Sequence, residues 1–164
     1  MNEQEFIEIV NQNRALIYKV CNLYCRDPEQ RKDLFQEVVL QLWKSFPGFK
    51  KQAGHSTWIY RVSLNTAISN FRKSLRQPDG EGLSSLKFEI PDMYETTGEE
   101  KRSALHEAID KLTEIEKAVI MLYLDEKSYE EISEVIGISI SNVGVRLSRI
   151  KNKLTKLIKT GYEY

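Results

Sequence analysis

The chain has 164 residues, enough for one medium-sized domain or two small ones. Apolar residues make up 41% and charged residues 29%, which is ordinary for a globular protein. No run of apolar residues approaches the roughly 20 that cross a membrane, so a membrane-spanning segment is excluded.

The formal net charge of zero conceals a segregation of charge along the chain. Residues 1–76 carry 12 Lys and Arg against 7 Asp and Glu, and residues 139–164 carry 6 against 1. The stretch between them is acidic, with 6 Lys and Arg against 16 Asp and Glu. Two basic blocks predict two nucleic-acid-facing surfaces on separate domains, whereas the neutral total predicts weak indiscriminate binding of the free protein to DNA.

The first 76 residues have helical periodicity, which predicts helices near Glu3–Tyr24, Pro28–Ser45 and Ser56–Leu75. The second of these has a wide apolar stripe that includes Trp43, and an opposite polar side. The polar side bears Asp33, Gln36, Glu37 and Gln41. For an arbitrary helix, such a polar side is most often a solvated face.

Cys21 and Cys25 are the only cysteines of the sequence. They lie four residues apart in the first predicted helix, so we expect small apolar residues in a packed face. His55 and His106 have no metal-ligand spacing with them, and neither a metal site nor a cofactor is expected. Reduced thiols favour a cytoplasmic protein.

A short basic loop precedes the third predicted helix. The loop and the start of the helix contain Lys50, Lys51, His55, Ser56, Thr57, Trp58, Arg61 and Asn65. Aromatic rings that stack on unpaired bases, interleaved with cations that follow the phosphates, are typical of single-stranded DNA binding. The aromatic residues are also spaced like core residues, so a purely structural role stays open.

Residues Gln77–Gly98 contain three glycines, two prolines and several acids without a helical period. Such a stretch of about 20 residues is typical of a linker. We therefore expect a first domain at 1–76, a flexible acidic linker at 77–100 and a second domain at 101–164. No alternating pattern predicts a strand, so the expected fold class is all-α, with two small helical domains.

Beyond the linker, the periodicity predicts four more helices. They are Lys101–Leu112, Glu114–Leu124, Ser128–Ile136 and one that Ser139 or Ser141 caps and that extends to Leu157. Gly137 supplies a tight turn between the last two, and the second of these two helices carries all of their positive charge. A short helix, a glycine turn and a basic second helix are typical of a helix-turn-helix that reads a DNA major groove.

The two halves resemble regions 2 and 4 of the bacterial extracytoplasmic-function sigma factors, the minimal members of the sigma-70 family. KDLFQEVVLQLWKSFPGFKKQAGHSTWIYRVSLNTAISNFRKSLR is similar to region 2, and LTEIEKAVIMLYLDEKSYEEISEVIGISISNVGVRLSRIKNKL resembles region 4. A region-4-like helix-turn-helix also occurs in response regulators, whereas both segments in this order on one chain are specific to sigma factors.

The resemblance implies an alternative sigma factor, with core RNA polymerase and promoter DNA as partners and no small-molecule substrate. The polymerase-docking residues it implies are Asp33, Gln36, Glu37 and Gln41. Those for capture and opening of the −10 element are Lys50, Lys51, His55, Ser56, Thr57, Trp58, Arg61 and Asn65. Those for the −35 element are Ser141, Asn142, Arg146 and Arg149, with Lys151 and Lys153 as phosphate contacts. An anti-sigma factor is a further partner that the resemblance implies.

Two positions depart from the family pattern. His55 stands where many relatives have phenylalanine, and Gly144 stands in the recognition helix where lysine or another side chain is common. The alternative interpretation is a stand-alone helix-turn-helix transcriptional regulator, which would leave the first domain unexplained. An enzyme is not expected, because the sequence has no phosphate-binding glycine loop, HExxH pair or nucleophile motif.

Overall fold

The computed structural model describes residues 3–49, 54–76 and 99–162. Within these ranges the chain is helical and has no strand, which confirms the all-α prediction. The helices are α1 Glu3–Gln12, α2 Arg14–Tyr24, α3 Pro28–Ser45, α4 His55–Leu75, α5 Glu99–Asp110, α6 Glu114–Leu124, α7 Tyr129–Ile136 and α8 Ile140–Tyr162. A 3-10 turn, Phe46–Gly48, follows α3. Gln77–Gly98, Lys50 and Lys51 lie outside the described residues.

The prediction of one continuous N-terminal helix is wrong, because Asn13 divides it into α1 and α2. The backbone N–H of Asn13 donates to Val10 in a tightened turn, and its side-chain Nδ2 donates to the carbonyl of Ile9 at 2.8 Å. Asparagine side chains compete for backbone groups in this way and end helices. The break allows α1 to turn toward α3, where the ring of Phe6 lies 5.0 Å from that of Trp43.

The first domain is built on α2, α3 and α4, which pack against one another. Fully buried residues of the three helices form its core: Ile17, Val20, Val38, Leu42, Ile59 and Leu64. Cys21 in α2 and Cys25, which directly follows that helix, are free and buried, as expected from their spacing. Burial raises the pKa of the Cys21 thiol to about 12, so it remains protonated and apolar.

Side-chain caps set the starts of α3, α6 and α7. The Asp27 carboxylate accepts the backbone N–H of Gln30 and precedes Pro28, a favoured first helical residue. Capping boxes begin the next two: Thr113 with Glu116 for α6, and Ser128 with Glu131 for α7. These caps satisfy backbone donors that a helix terminus otherwise leaves unpaired.

The second domain packs α6, α7 and α8 around a shared core. Its fully buried residues include Val119, Leu122, Ile132, Val143, Leu147 and Ile150. Gly137 ends α7 in the left-handed conformation, with φ of 84°, which glycine adopts without strain. The hydroxyl of Ser139 then accepts the backbone N–H of Asn142 at 3.2 Å, so Ser139 is the residue that caps α8.

The two domains lie against each other, with α4 in contact with α6 and α7. No helix in the described part of the chain is long and apolar enough to cross a membrane.

Candidate nucleic-acid interface

Helix α8 has one buried side and one exposed side. Its buried stripe is Val143, Leu147, Ile150 and Leu154. Ser141, Asn142 and Arg149 are exposed, whereas Arg146 is half-buried and its Nε atom has no hydrogen-bond partner among the described residues. A helix held by its apolar stripe and preceded by a short helix and a tight turn can present its exposed side to a major groove.

Two predicted phosphate contacts are held within the second domain. The Lys151 ammonium donates to the Tyr123 hydroxyl at 2.9 Å and lies 4.2 Å from the centre of that ring. The hydrogen bond to Tyr123 raises the pKa of Lys151. The Lys153 ammonium pairs with the Glu116 carboxylate at 2.9 Å. Both cations are therefore placed at the boundary between α6 and α8.

Gly144 lies on the side of α8 that faces α7. A Cβ atom built there would lie 3.6 Å from Cε2 of Tyr129, an ordinary van der Waals distance. The Cα–Cβ bond of any side chain at position 144 would therefore point toward Tyr129, and an alanine would fit there without a clash.

Trp58 is packed inside the first domain, with 9% of its surface exposed. Its ring stacks on Phe49 at 4.6 Å between centroids, and its Nε1 donates to the Ser45 hydroxyl at 3.2 Å. Thr57 is also buried, whereas His55 is exposed, with its ring 5.1 Å from that of Phe49. These contacts fix the ring of Trp58 in one position within the first turns of α4.

Residues at the start of α4 contact the second domain directly. The Arg61 guanidinium donates to the carbonyl of Glu134 at 2.7 Å, and the Lys127 ammonium donates to the Ser56 hydroxyl at 3.1 Å. The buried hydroxyl of Tyr60 donates to the carboxylate of Asp125. Asn65, one helical turn beyond Arg61, remains exposed.

Tyr60 is a residue that sequence reasoning missed. Burial, followed by the hydrogen bond to Asp125, raises its pKa well above the ordinary tyrosine value. The Lys127 ammonium lies 5.5 Å from the centre of its ring. No sequence signal indicates this contact, because its partners are 65 and 67 residues away along the chain.

A second set of contacts joins the domains near the C-terminal end of α4. The Lys117 ammonium lies between the rings of Tyr24 and Phe71, at 5.7 and 5.5 Å from their centres. The Arg72 guanidinium pairs with the Glu114 carboxylate at 2.8 Å. Burial of Lys117, together with the charge of Arg26, lowers its pKa.

The predicted polymerase-docking residues of α3 do not share one groove. Asp33, Glu37 and Gln41, spaced four residues apart, line a polar groove of about 930 Å³ between α3 and α4, with Asn65 on its other wall. The Gln41 amide donates to the Glu37 carboxylate at 3.1 Å. Gln36 instead lines a second groove between α1 and α3.

The second groove has a volume of about 520 Å³ and is mainly apolar. Leu40 and Trp43 are 44% and 46% exposed there, although Trp43 belongs to the apolar stripe predicted for α3. The width of that stripe, which exceeds what a single core face covers, is the signal that could have found Trp43. Among the described residues, no cluster of His, Cys, Asp or Glu could hold a metal ion.

Comparisons with known proteins identify both halves. Residues 9–77 match the profile of sigma-70 region 2, and residues 102–154 match that of sigma-70 region 4. The ECF RNA polymerase sigma factor SigW of Bacillus subtilis (strain 168) is 26% identical, over 96% of this chain and 91% of the relative.

Solved structures have the same fold. The sigma factor RpoE in complex with the anti-sigma factor NepR from Bartonella quintana matches with a TM-score of 0.69 at 20% identity, over 96% of each chain. CnrH in complex with the cytosolic domain of CnrY matches with a TM-score of 0.70 at 17% identity, over 97% of this chain and 90% of CnrH.

The chain is therefore a two-domain member of the sigma-70 family. It belongs to the extracytoplasmic-function group and is an alternative sigma factor that directs promoter-specific transcription initiation.

Proposed function

We propose that residues 1–76 dock on core RNA polymerase and open the −10 element, that residues 77–100 connect the domains, and that residues 101–164 bind the −35 element. The observation that supports this division best is α8. Its exposed Ser141, Asn142 and Arg149 lie opposite a fully packed apolar stripe, so they are held rigidly and free to contact bases.

At the −35 element, α8 enters the major groove. Arg149 and Arg146 bind guanine, each contact discriminating by roughly 1–3 kcal/mol. Lys151 and Lys153 leave Tyr123 and Glu116 to contact phosphates, which position the helix without reading sequence. The Lys151–Tyr123 contact is exposed, whereas the Lys153–Glu116 pair is partly buried, so the first contact is exchanged at a lower free-energy cost than the second.

At the −10 element, the loop with Lys50 and Lys51 and the first turns of α4 capture a flipped base of the non-template strand. Flipping costs a few kcal/mol, least where the duplex is already weak, so recognition and strand opening are one event. The packed Trp58 supports the pocket, together with His55, Ser56 and Thr57. Arg61 and Asn65 lie further along α4, where the strand continues.

We call the arrangement in which α4 contacts α6 and α7 the closed state, and in this proposal it is the inactive state. Ser56 and Arg61 contact the second domain, so they are unavailable to promoter DNA until α4 separates from α7. Binding of core polymerase at Asp33, Glu37 and Gln41, and at Gln36 on the neighbouring groove, favours the open state. The free protein then binds DNA weakly, in keeping with its zero net charge.

An anti-sigma factor is a regulatory partner in this proposal. RpoE and CnrH, which share the fold, were each solved in a complex, RpoE with the anti-sigma factor NepR and CnrH with the cytosolic domain of CnrY. A comparable partner would hold this chain in the closed state. We further propose that the protein acts in the cytoplasm as a non-enzymatic factor without a cofactor. A pull-down that recovers only polymerase subunits under all growth conditions would argue against the anti-sigma partner.

In-vitro transcription with purified core polymerase tests the proposal. The full chain is expected to direct initiation at discrete start sites on fragments of its own genome, and to bind duplex DNA weakly without core. The alternative, a stand-alone helix-turn-helix regulator, predicts tight duplex binding without core and no new start sites.

A further inference from the structure

Val145 lies at the centre of the exposed side of α8. Successive helical residues are turned by about 100°, which places Val145 almost diametrically opposite the buried stripe of Val143, Leu147 and Ile150. Its side chain is 46% exposed. Ser141, Asn142, Ser148 and Arg149 surround it on the helix surface, and all four are exposed.

An exposed valine is unremarkable by itself, because folded proteins expose many single apolar side chains. Val145 differs from such residues in its position on α8. Residues near the N-terminus of a recognition helix contact base edges, and Val145 is the sixth residue of α8. It is flanked there by Asn142 and Arg149, which have hydrogen-bonding groups, whereas it has none.

An apolar side chain in the major groove has one specific partner on the bases. The C5 methyl group of thymine is the apolar feature of base-pair edges on that side of the duplex. Valine suits such a contact because its χ1 angle is restricted in a helix, so little side-chain freedom is lost on binding. The Cβ direction at Gly144 points toward Tyr129, so no neighbouring side chain at that position competes for the same base.

We infer that Val145 is a specificity-determining residue of the −35 contact and that its methyl groups pack against the C5 methyl of a thymine. This inference depends on the proposed function of α8. The contact buries about one methyl group, so its loss should weaken binding about three- to five-fold.

The experiment uses holoenzyme made from the full chain and core polymerase, on a promoter whose start site has been mapped. Each thymine of the −35 element, on either strand, is replaced singly by deoxyuridine, which lacks the methyl group. One replacement should weaken promoter binding by the wild-type protein about three- to five-fold. V145A should bind the unmodified promoter as weakly as wild type binds that modified one, and should lose sensitivity to the replacement.

Ile140→Ala is the matched control, since Ile140 is a similarly exposed β-branched residue of α8 that lies about 140° around the helix from Val145. It should keep the wild-type response to deoxyuridine, and circular dichroism melting should show that both variants fold. The inference is overturned if no −35 thymine responds, if the element contains no thymine, or if V145A keeps the response. Failure of the proposed function looks different, because the wild-type holoenzyme would then give no DNase I protection of the −35 element.

Discussion

The guanidinium of Arg61 in α4 donates a hydrogen bond to the backbone carbonyl of Glu134 in α7, at 2.7 Å. This contact joins a residue assigned to the −10 element with the first helix of the helix-turn-helix. Tyr60, the residue before Arg61 on α4, donates a hydrogen bond to Asp125 of the second domain. In the proposed function this surface of α4 also binds promoter DNA, so we propose that the contact couples domain separation to DNA binding.

We predict that Asp125→Ala weakens the closed state. The substitution leaves the buried Tyr60 hydroxyl without its acceptor and removes the ion pair of Asp125 with Lys19, which together should cost about 1–3 kcal/mol. Small-angle X-ray scattering should give a larger radius of gyration, and core polymerase should bind several-fold more tightly. Glu130→Ala, at an exposed position of α7, is the control. Scattering curves that coincide for wild type and D125A would contradict the closed-state proposal.

The capping box of α7 should make the second domain sensitive to acid. The backbone N–H of Ser128 donates to the Glu131 carboxylate and, as the largest favourable contribution, lowers its pKa below the ordinary value of 4.5. A carboxylate with a lowered folded-state pKa stabilises the fold above the unfolded-state value, and this stability is lost as pH falls through the lowered pKa.

Glu131→Gln should therefore flatten the dependence of Tm on pH below 4.5 while preserving the helix start, since glutamine also completes a capping box. Thermal melts over a pH series measure this, with E130Q as the control. An equally steep loss of Tm in E131Q and wild type would show that Glu131 does not contribute.

The two glycines of the helix-turn-helix should respond to alanine in opposite directions. At Gly144 the added Cβ meets Tyr129 at an ordinary 3.6 Å, so alanine should stabilise α8 by about 1 kcal/mol. At Gly137, with φ of 84°, alanine should destabilise by about 1–2 kcal/mol. Urea unfolding measures both. Unchanged promoter preference in G144A would show that this glycine has no special role in the groove.

Arg149 and Lys151 should separate sequence reading from phosphate contact. Both are exposed on α8. Arg149→Ala should relax preference at one base pair of the −35 element, by roughly 1–3 kcal/mol. Lys151→Ala should weaken binding equally at all sequences and reduce its salt dependence. Competition between promoter variants with the holoenzyme measures both. A uniform loss for R149A would assign Arg149 to the phosphate backbone instead.

Local chemistry made much of the second domain predictable from sequence. Ser128 and Gly137 each act within one helical turn, so the cap and the turn predict both ends of α7 without knowledge of the packing. The break at Asn13 was equally local but was missed, because the apolar period continues across it. Asparagine has a low helix propensity, but the continuous apolar periodicity was the stronger sequence signal and predicted one helix.

The long-range contacts could not be predicted in this way. Trp58 had either a stacking or a packing role by sequence, and only the positions of Phe49 and Ser45 place its ring inside the domain. Arg61 and Glu134 are 73 residues apart, and no local pattern pairs a side chain with a distant backbone carbonyl. The division of Gln36 from Glu37 between two grooves likewise depends on where α1 and α4 pack.

The central claim is that α8 sets position at the −35 element while α4 opens the −10 element. Permanganate, which oxidises unpaired thymines, tests this most directly on a holoenzyme–promoter complex that is also mapped by DNase I. With the wild-type holoenzyme, we expect DNase I protection of the −35 element and permanganate-reactive thymines at the −10 element. With the Arg61→Ala holoenzyme, we expect the same protection and weaker permanganate reactivity. Full protection of both elements by the chain without core polymerase, and with no reactive thymine in any complex, would contradict it.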